Sequence, residues 1–192
     1  MKRVAKYSTF VALALALVGS WQVASAGWIH AKALLAQHLI ANAWTDARDG
    51  GPARRPWPWA DMRPVARLTI PARGVELFIL DNATPRSLAF GPAHVGGTAA
   101  PGAHGNSVIV AHRDTHFAFL RRVAPNDEID IEGARGVLTR YRVREVTVMD
   151  KEEARVLDPA DSPQLTLITC YPFDAVRPGT PLRYVVVAER IT

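Results

Sequence analysis

From residue 67 onward, short apolar runs with a two-residue alternation follow one another along the chain. The runs are rich in Val, Ile, Leu, Thr and Tyr, and most are bounded by Gly, Pro or Asp. The β-branched, aromatic and leucine residues of the runs favour extended backbone, whereas Gly, Pro and Asp are typical of turns. We therefore predict strands at residues 67–70, 75–80, 107–112, 128–132, 138–149, 165–170 and 183–189.

Two further details refine this pattern. The alternation slips near Arg144 and Glu145 within the run 138–149, which indicates a β-bulge. Short helical pieces fit around residues 87–90 and 116–122. Many short strands with few helices are typical of a closed or nearly closed barrel. We expect a mainly β fold, a closed β-barrel of about eight strands with one or two short helices.

The first thirty residues follow a different pattern, because no charged side chain occurs from position 7 to position 29. An apolar core at 10–18 follows three basic residues within the first six positions, as in a secretory signal or a membrane anchor. The Ala-Ser-Ala sequence at 24–26 resembles a cleavage site, but the whole span is long enough to cross a bilayer. We expect an uncleaved N-terminal transmembrane helix, with the rest of the chain outside the cytoplasm.

Residues 28–45 carry apolar side chains near helical spacing, which predicts a helix. Glycine and proline then break all periodicity between 46 and 60, as in a linker. The predicted organisation is a signal anchor at 1–30, a helical stalk with a Pro/Trp-rich linker at 31–60, and a β-barrel domain at 61–192. Trp57 and Trp59 fit either a membrane interface or packing against the domain, and we favour packing.

The formal net charge is +5 over 192 residues, and the basic residues are scattered rather than aligned in a stripe. This distribution is that of an ordinary solvated surface, so we expect no nucleic-acid partner. His94 and His104 lie in a glycine-rich stretch, but no second pair stands at metal-ligand spacing, and the GK[ST] of a phosphate loop is missing there. We expect no metal and no cofactor.

Cys170 is the only cysteine of the chain, and it ends the apolar run 165–170. In an exported protein a single cysteine has no internal disulfide partner, which leaves a candidate reactive thiol. Free cysteine is also a common buried apolar residue, so an inert Cys170 is the alternative. A thiol nucleophile needs a proton-transfer group, a donor for the oxyanion and a shaped groove.

Two other residues stand where they can assist the thiol. Cys170 ends one predicted strand and Arg183 begins the next, so an antiparallel hairpin makes them cross-strand neighbours. Arginine beside a thiol favours the thiolate and can donate to an oxyanion, although a plain surface arginine is the alternative. His112 ends another predicted strand, where a catalytic imidazole can reach the end of a neighbouring strand. A purely structural histidine is the alternative. Asp114 can orient an imidazole or cap the helix that begins near His116, and we favour the cap.

Three segments taken together resemble the sortase family, namely NSVIVAHRDTHFAFL at 106–120, LTLITCYPF at 165–173 and LRYVVVA at 182–188. In that family a histidine ends one barrel strand, a TLxTC motif ends another, and an arginine opens the next. The resemblance covers roughly residues 56–191 and implies the sortase β-barrel. WPWADM at 57–62 and LAFGP at 88–92 resemble the Gram-negative, marine proteobacterial type.

The resemblance implies a role for each matched residue. Cys170 is the expected nucleophile, which attacks the backbone carbonyl of a sorting signal and forms a thioacyl-enzyme. His112 is expected to protonate the departing amine and later to accept a proton from the incoming amine. Arg183 is expected to position the substrate carbonyl and to stabilise the oxyanion, and Thr169 to line the same site.

The resemblance also implies the surroundings of the reaction. The loop 171–182, which starts with Tyr171 and Pro172, is expected to bind substrate as one wall of a peptide groove. The expected partners are an exported protein with an LPxTG-like signal near its C-terminus and an amine acceptor of unknown identity. The catalytic domain is expected on the periplasmic side of the cytoplasmic membrane, behind a single-pass anchor. Ala111 departs from the family, which has glycine before the histidine, and no acidic cluster of the calcium-binding kind occurs.

Other functions remain compatible with the sequence. One is a cysteine protease or a cell-wall L,D-transpeptidase, and another is an anchored β-barrel binding module with a buried, inert Cys170. Papain-like proteases present the thiol at a helix N-terminus, whereas Cys170 ends a strand. L,D-transpeptidases use a strand cysteine, but their Ser-x-Gly-Cys approach is missing from the sequence. Alkylation of native Cys170 separates the binding module from the enzymes.

Overall fold

The computed structural model describes the backbone of residues 2–191 and the side chains of residues 13, 15–153 and 155–191. The α-helices are α1 (Lys2–Arg48) and α2 (Pro85–Leu88). The strands are β1 (Pro64–Ile70), β2 (Val75–Leu80), β3 (Ala93–His94), β4 (Asn106–Val110), β5 (Glu128–Gly133), β6 (Leu138–Asp150), β7 (Gln164–Tyr171) and β8 (Leu182–Arg190). Short 3₁₀ helices lie at Pro71–Arg73, Ala118–Arg122, Ala134–Gly136 and Ala154–Leu157.

The strands close into a barrel in the order β1-β2-β3-β4-β7-β8-β6-β5, with β5 paired back to β1. Most neighbours are antiparallel, but β2–β3 and β4–β7 are parallel pairs. The predicted mainly β fold, a closed barrel of eight strands with few helices, is confirmed. Because β4 and β7 run side by side in the same direction, their C-terminal ends lie at the same end of the barrel.

The predicted strands are all present, with ends that differ from the prediction by at most three residues. The predicted bulge is confirmed, because the register between β6 and β8 shifts between Val143 and Glu145. The alternation does not predict β3, because a strand of two residues is too short to show a period. The short helices lie near their predicted positions, at Pro85–Leu88 and Ala118–Arg122.

Side-chain alternation separates the barrel interior from its outer surface. The interior cluster takes Ile109 from β4, Leu165 and Leu167 from β7, and Val186 and Ala188 from β8. An outer cluster takes Val108, Ile168 and Val185 from the same strands, with Val110 and Val187 packed against it. The position of a residue in the alternation on β4, β7 or β8 therefore decides whether its side chain enters the barrel or lies on its outer surface.

The chain forms two compact units, one up to His38 and one from Leu39 onward. The division falls inside α1, because Ile40 belongs to a buried cluster with Met62 and Leu80 of the barrel unit. The barrel unit therefore includes the last turns of α1 in addition to the predicted domain at 61–192.

The two tryptophans of the predicted linker differ in their surroundings. Trp57 packs edge-on against Phe90, with ring centroids 5.2 Å apart, so the predicted packing is confirmed for this residue. Trp59 is 80% exposed, so the same prediction is wrong for its neighbour. Of the two tryptophans, only Trp57 packs against a buried apolar cluster.

The first unit consists of the helical segment of α1 up to His38. Large apolar side chains are exposed along it, among them Leu15, Trp21 and Trp28. In the described part of the chain, no helix combines the length and the apolar character that a bilayer crossing requires. Within the predicted apolar core at 10–18, the side chains of residues 10–12 and 14 lie outside the described residues.

Candidate active site

Cys170 and Arg183 face each other across neighbouring strands. The antiparallel register of β7 and β8 pairs the two residues directly, which confirms the predicted cross-strand contact. Side chains of such a pair share one face of the sheet, with Cβ atoms about 5 Å apart. Cys170 is a free and partly exposed cysteine, so its thiol is not shut inside the core.

His112 reaches the same place from β4. This strand pairs in parallel with β7, and Val110 lies opposite Ile168. His112 and Cys170 each lie two positions beyond their member of that pair. The pairing continues past the strand end, because the Ala111 N–H donates to the Ile168 carbonyl at 3.3 Å. The backbone of His112 therefore runs beside that of Cys170, at the strand spacing of about 4.8 Å.

The three side chains project from the outer surface of the barrel. On each strand, the residue two positions away belongs to the outer cluster or packs against it. Side chains two positions apart on a strand share a face. Cys170, His112 and Arg183 therefore converge on one surface, where β4 and β7 end and β8 begins.

Thr169, the residue before the thiol, points the other way. It is 2% exposed, and its Oγ1 donates to the Ala111 carbonyl at 2.7 Å. This hydrogen bond ties the end of β7 to the residue that precedes His112. Its predicted contact with substrate stays a prediction, and the contact that the structure describes is with backbone.

The guanidinium of Arg183 is held at the base of the β7–β8 loop, which comprises residues 172–181. Its Nη1 donates to the carbonyls of Thr180 at 2.8 Å and Leu182 at 2.9 Å. Among the described residues, no carboxylate lies within 4.0 Å of this group, and its Nε and Nη2 make no hydrogen bond. Arg183 therefore keeps an unneutralised charge and unused N–H donors for a substrate oxygen.

A second imidazole lies close to His112. His116 is half-buried in the following turn, in which the Phe117 N–H donates to the His112 carbonyl at 3.0 Å. Burial lowers the pKa of His116 below its ordinary value of 6.5, and the charge of His112 lowers it further. The 3₁₀ helix begins at Ala118 with no side-chain cap, so the capping role predicted for Asp114 is wrong.

A groove of about 300 Å³ opens beside Arg183 on the same outer surface. Its floor is formed by Val110, Ile168 and Val185. Its far wall is formed by residues 149–150 at the end of β6 and by residues 151–153 and 156–157 of the connection between β6 and β7. The family resemblance implies a wall only in the loop 171–182. The second wall is signalled by nothing more than the apolar pair Val156 and Leu157 in a polar segment.

Tyr171 and Pro172 open the β7–β8 loop. Tyr171 lies on the opposite face of β7 from Cys170, because adjacent side chains alternate. The Tyr171 ring stacks on the Tyr184 ring with centroids 6.0 Å apart. Phe173 packs edge-on against the Tyr184 ring, with centroids 5.0 Å apart. These contacts fix the start of the loop, while the predicted contacts of Tyr171 and Pro172 with substrate stay predictions.

His94 has a structural environment. Its Nε2 lies 2.9 Å from the Ala99 carbonyl and 3.0 Å from Thr98 Oγ1. In the part of the chain that the structure describes, no group of three His, Cys, Asp or Glu side chains is placed to hold a metal ion.

The geometry defines a strand-end cysteine site on an eight-stranded barrel, with an arginine opposite the thiol and a histidine on the adjoining parallel strand. The family model described as the sortase domain matches residues 68–191. The chain belongs to the sortase family.

Individual relatives agree with this membership. Sortase D of Bacillus subtilis is 29% identical over 126 residues, which are 65% of this chain and 63% of that protein, so less than two thirds of the relative is spanned. The structure of a Clostridium perfringens sortase D5 transpeptidase has a TM-score of 0.59 and 28% identity, covering 67% of this chain and 79% of that one. Sortase A of Corynebacterium diphtheriae has a TM-score of 0.61 and 26% identity, covering 82% and 84%. The finer resemblance to the marine proteobacterial type stays a prediction.

Proposed function

We propose that this chain is a cysteine transpeptidase, which transfers the acyl part of a sorting signal on an exported protein to an amine. The observation that carries the proposal is the direct pairing of Cys170 with Arg183, with His112 in the matching position beyond β4. The three residues supply the nucleophile, the oxyanion donor and the proton-transfer group that thiol-based acyl transfer requires. Membership in the sortase family supports the same reaction.

The first half-reaction acylates the enzyme. The Cys170 thiolate attacks the scissile carbonyl carbon, and the C=O electron pair moves to the oxygen. Arg183 donates N–H groups to this oxyanion. As the intermediate collapses, the C–N bond breaks and protonated His112 gives its proton to the departing amine. The product is a thioester between the acyl group and Cys170.

The second half-reaction releases the enzyme. The acceptor amine attacks the thioester carbonyl, and His112 accepts the proton that the amine loses. The C–S bond then breaks, and Cys170 leaves as the thiolate. The enzyme returns to its starting protonation state without an oxidant or a reductant. If water attacks the thioester in place of the amine, the acyl group is released as a carboxylic acid, and this hydrolysis is the competing reaction.

The groove beside Arg183 is the proposed binding site for the donor peptide. Its floor of Val110, Ile168 and Val185 suits an apolar side chain, such as the leucine of an LPxTG-like signal. Pro172 and the rest of the β7–β8 loop are proposed as the wall nearest the thiol.

The proposed place of action is the periplasmic face of the cytoplasmic membrane, with residues 1–30 as a single-pass anchor. The charge-free span 7–29 and the exposed apolar side chains in the described part of α1 support this proposal. Alkaline carbonate washing of membranes tests it. The full chain is expected in the pellet, and a variant without residues 1–30 in the wash. Release of the full chain would contradict the anchor.

Intact-mass measurement tests the proposed reaction directly. The protein is incubated with LPxTG-like peptides, and the expected product is an acyl adduct on Cys170 that disappears when an amine is added. Cys170→Ala is the matched control and is expected to give no adduct. A wild-type thiol that is alkylated by iodoacetamide, yet forms no adduct with any donor peptide, overturns the transpeptidase proposal.

A further inference from the structure

Arg113, the residue after His112, is bound to the β7–β8 loop. Its Nη1 donates to Thr180 Oγ1 at 3.1 Å, and its Nη2 donates to the carbonyls of Ala175 at 2.7 Å and Arg177 at 3.1 Å. These partners are 62 to 67 residues away in the sequence, so the contacts are tertiary. One planar guanidinium thus holds the loop at three points.

The loop has few other fixed contacts. Three of its residues are prolines, which have no backbone N–H to donate. Among the described residues, its backbone–backbone hydrogen bonds join Ala175 N to the Pro172 carbonyl at 3.4 Å and Lys151 N to the Pro181 carbonyl at 2.7 Å. Val176 at the tip is 97% exposed and packs on nothing. The middle of the loop therefore depends on Arg113 for its position.

Thr180 joins Arg113 to Arg183. Its Oγ1 accepts from Arg113, and its carbonyl accepts from Nη1 of Arg183 at 2.8 Å. Hydrogen bonds from a charged donor are stronger and more directional than neutral ones. A displacement of Thr180 therefore changes the direction in which Arg183 presents its remaining N–H groups.

We propose that Arg113 is a positioning residue, which fixes the β7–β8 loop and, through Thr180, orients Arg183 toward the oxyanion. This inference rests on the proposed transpeptidase function. Arg113 does not touch the reacting atoms, and its effect passes through Thr180 and Arg183. A misplacement of about 1 Å in a catalytic group can cost about 100-fold in rate. Loss of the three contacts is therefore expected to slow acylation.

Two variants of Arg113 separate positioning from charge. Arg113→Gln removes both the charge and the forked donors, whereas Arg113→Lys keeps the charge and loses the planar fork. Both are expected to lower the rate of thioacyl formation about 10- to 100-fold. Arg122→Gln is the matched control, because this exposed arginine ends the 3₁₀ helix Ala118–Arg122 and its side chain makes no hydrogen bond to the described residues. A wild-type rate in either Arg113 variant overturns the positioning role.

Two further measurements separate positioning from general damage. Amide hydrogen exchange across residues 172–182 is expected to accelerate in both Arg113 variants and not in Arg122→Gln. Alkylation of Cys170 by iodoacetamide is expected to keep its wild-type rate, because Arg183 keeps its charge beside the thiol and only the direction of its N–H groups changes. Unchanged exchange in the loop overturns the proposal, and so does a loss of alkylation that matches the loss of acylation.

A double-mutant cycle tests whether the effect passes through Arg183. In the Arg183→Ala background, Arg113→Gln is expected to cost much less than it does in the wild-type chain, because the group that it orients is gone. Thr180→Val, which removes Oγ1 and keeps the carbonyl, is expected to show the same non-additivity. Additive losses overturn the path through Arg183. A wild-type chain that forms no thioacyl adduct shows instead that the proposed function itself is wrong, before any variant is compared.

Discussion

Two adjacent residues of β7 have different roles: Cys170 is the proposed nucleophile, and Thr169 holds the site in place. Cys170 projects onto the outer surface, and Thr169 turns inward to the Ala111 carbonyl. Arg113 has a similar supporting role through its contacts with the β7–β8 loop. We therefore expect the rate at the thiol to depend on Thr169 and Arg113 as well as on Cys170, because their hydrogen bonds hold the strand ends and the loop around it.

Cys170→Ala is expected to abolish acyl transfer with little effect on stability. The thiol is partly exposed and belongs to no core cluster, so its loss is expected to change the free energy of unfolding by less than about 1 kcal/mol. Intact-mass spectrometry after incubation with donor peptide measures the first effect, and urea unfolding the second. Residual acyl transfer in the variant would remove Cys170 from the role of nucleophile.

Thr169→Val is expected to reduce both stability and rate. The change keeps the shape of the side chain but leaves the Ala111 carbonyl without its partner, at a cost of about 1–3 kcal/mol. The end of β4, and His112 with it, is then less firmly tied to β7. Thr169→Ser restores the hydroxyl and is expected to recover most of both losses in urea unfolding and acylation assays. Failure of Ser to restore the rate would favour a direct substrate contact through the methyl group.

At this scale the sequence is informative where a contact follows from strand geometry. The pairing of Cys170 with Arg183 is predictable, because a hairpin brings the end of one strand beside the start of the next. The contacts of Arg113 are not, because carbonyls in a proline-rich loop have no sequence signature as acceptors. Thr169 belongs to the TLxTC motif, but its inward orientation requires knowing which face of β7 is buried.

At the scale of elements, the turn after β4 brings two histidines together. His116 is buried enough to disfavour its charged form, and a charge on His112 disfavours it further. A neutral His116 avoids placing a second cation beside the proposed acid. The turn that follows β4 thus shapes the electrostatics of the site as well as its geometry.

The His116→Gln variant is expected to lose less stability in acid than the wild-type chain. The pKa of His116 is lowered in the folded state, so the unfolded chain takes up a proton that the folded chain refuses as the pH falls through 6.5. The folded state therefore keeps its full stability above pH 6.5. It loses stability as the pH falls from 6.5 to the lowered folded-state pKa of His116. Urea unfolding of both proteins between about pH 5 and about pH 8 measures the difference. Parallel curves would contradict the burial-induced shift.

The relation between β4 and β7 is the element-scale feature that alternation alone does not reveal. Each strand is predictable on its own, but their parallel pairing joins segments about 60 residues apart. The same holds for the groove wall at 149–153 and 156–157, which depends on where the connection between β6 and β7 folds back. From the sequence, only the family resemblance predicts that His112 and Cys170 lie close together.

At the scale of the whole molecule, the fold class follows from the number and brevity of the strands, whereas the boundary of the barrel unit does not. The linker composition suggests that the domain starts after residue 60. The structure divides the chain between His38 and Leu39, because apolar residues of the last turns of α1 enter the barrel unit. Helical periodicity shows that these residues share a face, but not which unit covers that face.

Two truncations are expected to differ sharply in stability for this reason. Removal of residues 1–38 leaves all described core clusters intact, so the remaining chain is expected to unfold in urea as one cooperative unit. Removal of residues 1–48 also deletes Ile40, which is 1% exposed and packs with Met62 and Leu80. The free energy of unfolding is expected to fall by more than about 3 kcal/mol between the two. Ile40→Ala in the longer fragment is the matched control, with an expected cost of about 2–5 kcal/mol. Equal urea midpoints for the two fragments would show that the last turns of α1 do not stabilise the barrel.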